Sequence, residues 1–105
     1  MRQVINNLLY ATETAQVITQ ANVLPTAIEI AEKIGHKVTS ETGFHTAYLV
    51  TLYKTAKGNY FRHIHSPSSD NWLSSDDRIG AKMWLERHGK IDELLAEFGD
   101  EIETA

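Results

Sequence analysis

Two histidines one residue apart, His63 and His65, come nearest in this chain to a reactive site by type and spacing. Side chains at positions i and i+2 of a β-strand point to the same side, about 7 Å apart, and neutral imidazoles bind zinc, copper or nickel. A catalytic zinc site needs a third protein ligand, and His45 reaches this face only if the strand extends through residues 43–47. The spacing therefore favours ordinary strand-end histidines. A metal-binding or hydrolytic site on His45, His63 and His65 is the alternative.

The segment after these histidines, SPSSDNW, places three serines and Asp70 close to them in sequence. A nucleophilic serine usually stands on a strained turn such as Gly-x-Ser-x-Gly, and no such turn is present. Segments rich in Ser, Pro and Asp are typical of turns in which side chains hydrogen-bond the backbone. The glycines are isolated and match neither nucleotide-binding fingerprint. We therefore predict no catalytic residue, no metal ligand and no cofactor.

The histidines end the clearest local unit of the chain, AYLVTLYKTAKGNYFRHIH. Segments 48–53 and 60–64 are rich in aromatic and β-branched residues, and Gly58 supplies the left-handed residue of a three-residue loop at 56–58. The pattern predicts a β-hairpin. Its predicted cross-strand pairs are Thr55 with Asn59, Tyr53 with Phe61, Thr51 with His63 and Leu49 with His65. Its other face holds Val50, Leu52, Arg62 and Ile64.

The first half of the chain contains two further predicted elements. LLYATETAQVI resembles the hairpin pattern and predicts a first hairpin with strands near 4–11 and 15–20, and a helix over 14–20 is the alternative. Apolar residues at three- and four-residue spacing, with Pro25 at the start and Gly35 at the end, predict a helix over Pro25–Ile34. A short strand at Lys37–Thr39 is the remaining candidate.

The last third of the sequence is predicted to be helical. Ser74 and Ser75 offer N-caps for a helix that ends at Gly89, with Ile79, Met83 and Trp84 on one side. A final amphipathic helix carries its apolar residues on one face and its acids on the other. Those apolar residues are Ile91, Leu94, Leu95, Phe98 and Ile102. The predicted fold is a single α+β domain, residues 1–105, in which an antiparallel sheet of two β-hairpins packs against about three helices.

Composition limits the classes of function. The chain has 105 residues, no cysteine and a net charge of -4. It lacks a secretory signal pattern and an apolar run of the ~20 residues that a membrane span needs, so we expect a cytoplasmic protein. From residue 91 to the end there are six acids and no Lys or Arg. This acidic end argues against nucleic-acid contact there, and Lys54, Lys57 and Arg62 make only a small basic cluster.

Three segments together resemble a family of small uncharacterised proteins from phages, plasmids and conjugative elements. The family reads Leu-Tyr-Asp-Thr-x-Thr-Ala-x-x-Ile, then Leu-Tyr-x-Thr-x-x-Gly-x-Tyr-Phe, then Ala-Lys-x-Trp-Leu-Glu. The matching positions are Leu9, Tyr10, Thr12, Thr14, Ala15 and Ile18; Leu52, Tyr53, Thr55, Gly58, Tyr60 and Phe61; and Ala81, Lys82, Trp84, Leu85 and Glu86. The chain departs from the pattern at Ala11, where Asp is usual, in the longer insert 24–37 and in the loop after the second hairpin.

The resemblance implies a mobile-element protein, and small proteins of such elements often inhibit bacterial defence systems, as anti-CRISPR and anti-restriction proteins do. We therefore expect a non-enzymatic inhibitor that binds a host defence complex by protein–protein contact. One candidate surface is the second hairpin, with Lys54, Lys57, Tyr60, Arg62, His63 and His65. The other is the acidic helix, with Asp92, Glu93, Glu97 and Asp100. A nucleic-acid-binding regulator is the third reading, and an exposed hairpin edge also favours a homodimer.

Overall fold

The computed structural model describes residues 1–23, 47–67 and 70–105. These residues form an α+β domain, as predicted, with a four-stranded antiparallel sheet, a two-stranded sheet and two helices. The strands are β1 (Arg2–Ile5), β2 (Leu8–Ala11), β3 (Gln16–Val23), β4 (Tyr48–Lys54), β5 (Tyr60–His65) and β6 (Asn71–Asp76); the helices are α1 (Arg78–Arg87) and α2 (Ile91–Phe98), before a 3-10 turn at Gly99–Glu101. The predicted helix at Pro25–Ile34 and strand at Lys37–Thr39 lie outside the described residues, so the third helix stays a prediction.

The second hairpin is confirmed with its register. Strands β4 and β5 pair antiparallel, with Thr51 opposite His63 and Leu49 opposite His65. The Thr55 amide donates to the Asn59 carbonyl at 2.8 Å, and Gly58 adopts a φ of 87°. The register follows from local chemistry, because a glycine in the left-handed region fixes where the loop closes.

The first hairpin forms at a different place from the one predicted. Residues 4–11 are not one strand, because the chain reverses at Asn6 and Asn7, whose φ angles are 52° and 66°. Asparagine tolerates the left-handed region that a two-residue hairpin turn requires, so β1 pairs with β2. Strand β3 then pairs with β4, with a bulge between Val17 and Thr19. The alternative helix over residues 14–20 is also wrong, since β3 occupies 16–23.

The predicted N-caps Ser74 and Ser75 are wrong, because both residues lie in strand β6. They stand opposite Arg62 and Phe61 of β5, and this ladder decides their conformation over their local capping preference. Helix α1 is instead capped by Asp77. Its carboxylate accepts a hydrogen bond from the Gly80 amide at 2.6 Å, which satisfies one of the free N–H groups of the first turn.

Helices α1 and α2 cover one face of the four-stranded sheet. The buried cluster between them consists of Val23, Val50, Leu52, Tyr60, Ile64, Ala81, Trp84, Leu85, Leu94 and Phe98. The side of α1 predicted to be apolar is only partly right, since Trp84 is buried but Ile79 and Met83 are exposed. In α2, Leu94 and Phe98 are buried as predicted. Ile91 and Leu95 of the same predicted face are exposed.

Strands β1 and β2 form a second layer, here called the hairpin layer, on the other face of the sheet. Tyr10 packs on Phe61 with ring centroids 5.3 Å apart, and Phe61 stacks on Tyr53 at 5.0 Å. The Leu73 amide donates to Oε1 of Gln3 at 3.0 Å, which ties β1 to the edge strand β6. The sheet is thus held between helices and a hairpin. Neither helix in the described part of the chain has the length and apolarity to cross a membrane.

Candidate functional site

The two surfaces predicted from the sequence as separate binding sites meet in the structure. Glu97 of α2 accepts a hydrogen bond from the Tyr60 hydroxyl at 2.8 Å and pairs with the Lys54 ammonium at 3.0 Å. The Lys54 ammonium also lies 5.7 Å from the centre of the Tyr60 ring. Tyr60 itself is buried. These three residues, the Tyr60–Glu97–Lys54 cluster, therefore join the second hairpin to the acidic helix.

The cluster changes the acidity of two of its members. Burial and the hydrogen bond to Glu97 raise the pKa of Tyr60 to about 12, because an ionised phenol would lose its acceptor and face the carboxylate. Burial acts to raise the pKa of Glu97, but the hydrogen bond from Tyr60 and the pairing with Lys54 outweigh it and leave that pKa below its usual value. The arrangement favours a neutral phenol and an ionised carboxylate. The cluster is better suited to holding α2 against the second hairpin than to transferring a proton.

The Tyr60–Glu97–Lys54 cluster predicts that the fold loses stability at alkaline pH, where Tyr60 ionises. Because the folded pKa lies above that of a free tyrosine, the contribution is complete below about pH 10 and is lost as pH rises to about 12. The loss is on the order of 2–3 kcal/mol, with about half of it reached near pH 11. Urea unfolding of the wild type and Tyr60→Phe, from about pH 8 to pH 11.5, measures it. The stability difference between the two proteins should shrink across this range, and Tyr53→Phe should lose stability as the wild type does.

At the acid end the sign is reversed. The lowered pKa of Glu97 means that its contribution is present above the pKa of a free carboxyl and is lost as pH falls through the folded value. Glu97→Gln should therefore show a smaller acid loss of stability than the wild type in urea unfolding from about pH 7 down to about pH 2. If the free energy of unfolding depends on pH equally in the wild type, Tyr60→Phe and Glu97→Gln, the stabilising role of the cluster is contradicted.

Arg62 is engaged on the helix-covered side of the sheet. Its Nε lies 3.1 Å from Oδ2 of Asp76, and both side chains are largely buried. Residues 62 and 76 are on neighbouring strands, so the pair also joins β5 to β6. Removing one member of such a pair leaves the other charge buried without its partner. Arg62 therefore serves the fold, and its position leaves little of it to touch another molecule.

His63 and His65 lie on the other face of the sheet, side by side as predicted. Their rings are parallel within 5° and 6.0 Å apart, and Nε2 of His63 lies 3.0 Å from Oδ1 of Asn71. Two imidazoles in this position offer at most two ligands, fewer than the three protein ligands of a catalytic zinc site. No group of three His, Asp or Glu suited to a metal occurs among the described residues, and the predicted third ligand, His45, lies outside them.

The remaining predicted binding residues lie on two different elements of the fold. Lys57 is exposed in the loop between β4 and β5. Asp92 and Asp100 are exposed on or just after α2, and Glu93 is half-buried. Lys54, Tyr60 and Glu97 form one cluster, and Lys57 and these acids are not part of it.

Sequence reasoning missed the surface of the hairpin layer. Val4 and Leu9 are opposite each other across β1 and β2, and they are 66% and 60% exposed. Leu8, on the other side of β2 together with Tyr10, is 48% exposed. Val4 and Leu9 are called the hairpin patch below. The signal was available: the pair Asn6-Asn7 between VI and LLY marks a two-residue turn, and alternation then places Tyr10 inward and Leu9 outward.

A groove of about 440 Å³ runs beside this patch. One wall is formed by residues 7–11 along β2, and the other by the β4–β5 loop, including Thr55, Ala56, Lys57 and Asn59. Among the described residues that line it, the groove combines apolar side chains with one cation, Lys57.

Comparison with known proteins gives no match to a family model, a curated protein or a solved structure.

Proposed function

We propose that this chain is a non-enzymatic binding protein of a phage or other mobile element, and that it inhibits a bacterial defence complex by protein–protein contact. The hairpin patch is the observation that carries the binding role. Apolar side chains that cluster on the surface of a small domain often mark an interaction site, because covering them releases water. The similarity to mobile-element proteins at Leu9–Ile18, Leu52–Phe61 and Ala81–Glu86 supports the setting.

Two charged residues lie near the hairpin patch, as charged residues do at the polar rim of a protein interface. Lys57 lies in the loop across the groove from β2, and Arg2 is exposed on β1. In protein interfaces, apolar centres bind while surrounding charges guide approach and select partners. The hairpin patch, with Lys57 at its side, therefore replaces the second hairpin and the acidic helix as the proposed contact surface.

The test compares two sets of exposed apolar residues. The variant Val4→Lys/Leu9→Lys alters the hairpin patch, and Ile79→Lys/Met83→Lys alters helix α1, where both residues are also exposed. Both pairs add two charges, so the proteins differ in the site of change. Tagged proteins are used to capture partners from lysates of strains that carry defence systems, followed by measurement of phage survival in those strains.

We expect the wild type and the α1 variant to retain one defence complex and to protect phage, and the hairpin variant to lose at least about tenfold in affinity. Retention of the same complex by all three proteins would reject the hairpin patch as the contact surface. Capture without any gain in phage survival would reject the inhibitor role.

A further inference from the structure

The hydrogen-bond pattern of the hairpin layer shows which backbone groups of β2 point away from β1. The Thr12 amide donates to the Met1 carbonyl at 3.0 Å, so these residues form a hydrogen-bonded pair. Such pairs alternate along an antiparallel ladder. With Gln3 opposite Tyr10 and Ile5 opposite Leu8, the groups of Tyr10 and Leu8 point towards β1. The N–H and C=O groups of Leu9 and Ala11 therefore point outward.

This outer edge of β2 faces the groove. Residues 7–11 all line it, although successive side chains of a strand point to opposite sides. This is the pattern expected where the backbone edge of the strand faces the groove. Among the described residues, β2 pairs with β1 alone. The edge of β6, by contrast, receives the side chain of Gln3 at Leu73.

We propose that an extended segment of the partner protein binds in this groove as a third strand on β2, and that it carries an acidic residue that pairs with Lys57. The inference rests on the proposed function and names its partner chemistry. Open strand edges are templates for strand addition, in which backbone hydrogen bonds provide affinity and alternate side chains provide selectivity.

The charge of the groove favours an acidic residue in the partner segment. Lys57 is the one charged residue among those that line it, it is exposed, and it has no ion pair within the described part of the chain. Leu8 and Tyr10 share one side of β2, so a pairing segment meets apolar surface at every second position. An alternating segment with one acid near the β4–β5 loop fits both features.

The first measurement uses displayed peptides of random sequence as the probe. We expect the wild type to enrich peptides with alternating apolar residues and an acid at a fixed position. Lys57→Glu should weaken the selected peptides roughly tenfold and enrich basic ones instead. Lys82→Glu makes the same charge change on α1 and should leave the selection unchanged.

The second measurement tests the backbone. Ala11→Pro removes an outward N–H and leaves the Thr12 bond to Met1 intact, as proline is tolerated on an open edge. The substitution should lower the affinity for the selected peptides roughly tenfold. If Ala11→Pro does not fold, amide exchange of the wild type decides: the Leu9 and Ala11 amides should exchange fast in the free protein and slow down with peptide, while the Tyr10 amide is slow in both.

Several outcomes would overturn the proposal. These are no enriched peptide, peptides that leave the Leu9 and Ala11 exchange unchanged, and a dimer in sedimentation in which both amides are already protected by a second copy. Failure of the proposed function is a different result. In that case the Val4→Lys/Leu9→Lys variant captures the defence complex as the wild type does. If that variant loses the complex while Lys57→Glu and Ala11→Pro keep it, the binding role stands and strand addition falls.

Discussion

Replacing Trp84 with alanine is expected to lower the free energy of unfolding by about 3–5 kcal/mol, the usual cost of deleting a large buried ring. Trp84 is only 1% exposed, and it joins α1 to the sheet in the main buried cluster. Its indole Nε1 has no hydrogen-bond partner among the described residues, and its ring lies 4.7 Å from that of His88. The loss is therefore one of packing. Against a total stability of about 5–15 kcal/mol, it removes a large share.

Urea unfolding of three variants isolates this effect. Met83→Ala, one residue away on the exposed side of the same helix, should change stability by less than about 0.5 kcal/mol. Trp84→Phe keeps most of the apolar ring and should fall between the wild type and Trp84→Ala. Equal unfolding midpoints for Met83→Ala and Trp84→Ala would mean that α1 does not bury this face.

The orientation of α1 shows why its buried side was only partly predictable. Apolar spacing alone grouped Ile79 and Met83 with Trp84, but the helix turns Ala81, Trp84 and Leu85 inward. A short helix with apolar residues on both sides has no single strong stripe. Packing on the sheet determines the side, because Trp84 fills more space than a smaller residue would in the buried cluster that also contains Val50 and Leu52.

Local signals predicted the second hairpin with its register. The strand pairings that depend on distant parts of the chain were not predicted. Gly58 fixes the β4–β5 loop within a few residues, and the pairs of Thr51 and Leu49 follow from it. Strand β6 has no comparable signal: Ser74 and Ser75 favour caps by themselves and become strand residues only opposite β5. Strand β3 likewise obtains its partner from distant β4. Pairing between distant segments leaves little trace in local sequence.

The candidate site likewise has some features that follow from local sequence and others that depend on contacts between distant residues. That His63 and His65 share a face followed from strand periodicity, as did Val50 and Leu52 on the opposite face. The contact of Lys54 and Tyr60 with Glu97 did not, because it joins residues 37 positions apart in sequence, as Tyr60 and Glu97 are. Side-chain type led to the prediction that these residues bind a partner. It did not predict that they contact one another.

Replacing Tyr10 with alanine is expected to detach the hairpin layer from the sheet while the helix-covered core remains folded. Tyr10 is 6% exposed and packs on Phe61, and it belongs to the small buried cluster under β1 and β2. A two-stranded hairpin alone is marginally stable in water, so without this ring it should open. The opening limits the cost, because only the local contacts are lost. We expect at most about 3–5 kcal/mol, the range for deleting a buried aromatic ring.

Amide hydrogen exchange resolves this detachment residue by residue. In Tyr10→Ala, the amides of residue 10 and Thr12 should approach the exchange rates of an unfolded chain, while those of Val50 and Leu52 stay protected. Leu9→Ala, on the exposed side of the same strand, should leave protection unchanged. Tyr10→Phe keeps the ring and should behave as the wild type.

Detachment also connects the fold to the proposed function. If the hairpin layer is the contact surface, Tyr10→Ala should lose the captured complex even though it changes no residue of the hairpin patch, and Tyr10→Phe should keep it. If the core opens together with the hairpin layer, the two layers form one cooperative unit and loss of binding in Tyr10→Ala would report unfolding. If Tyr10→Ala exposes the hairpin amides yet still binds, the contact surface lies elsewhere, on the helix layer with Asp92 and Asp100 or on the face of His63 and His65.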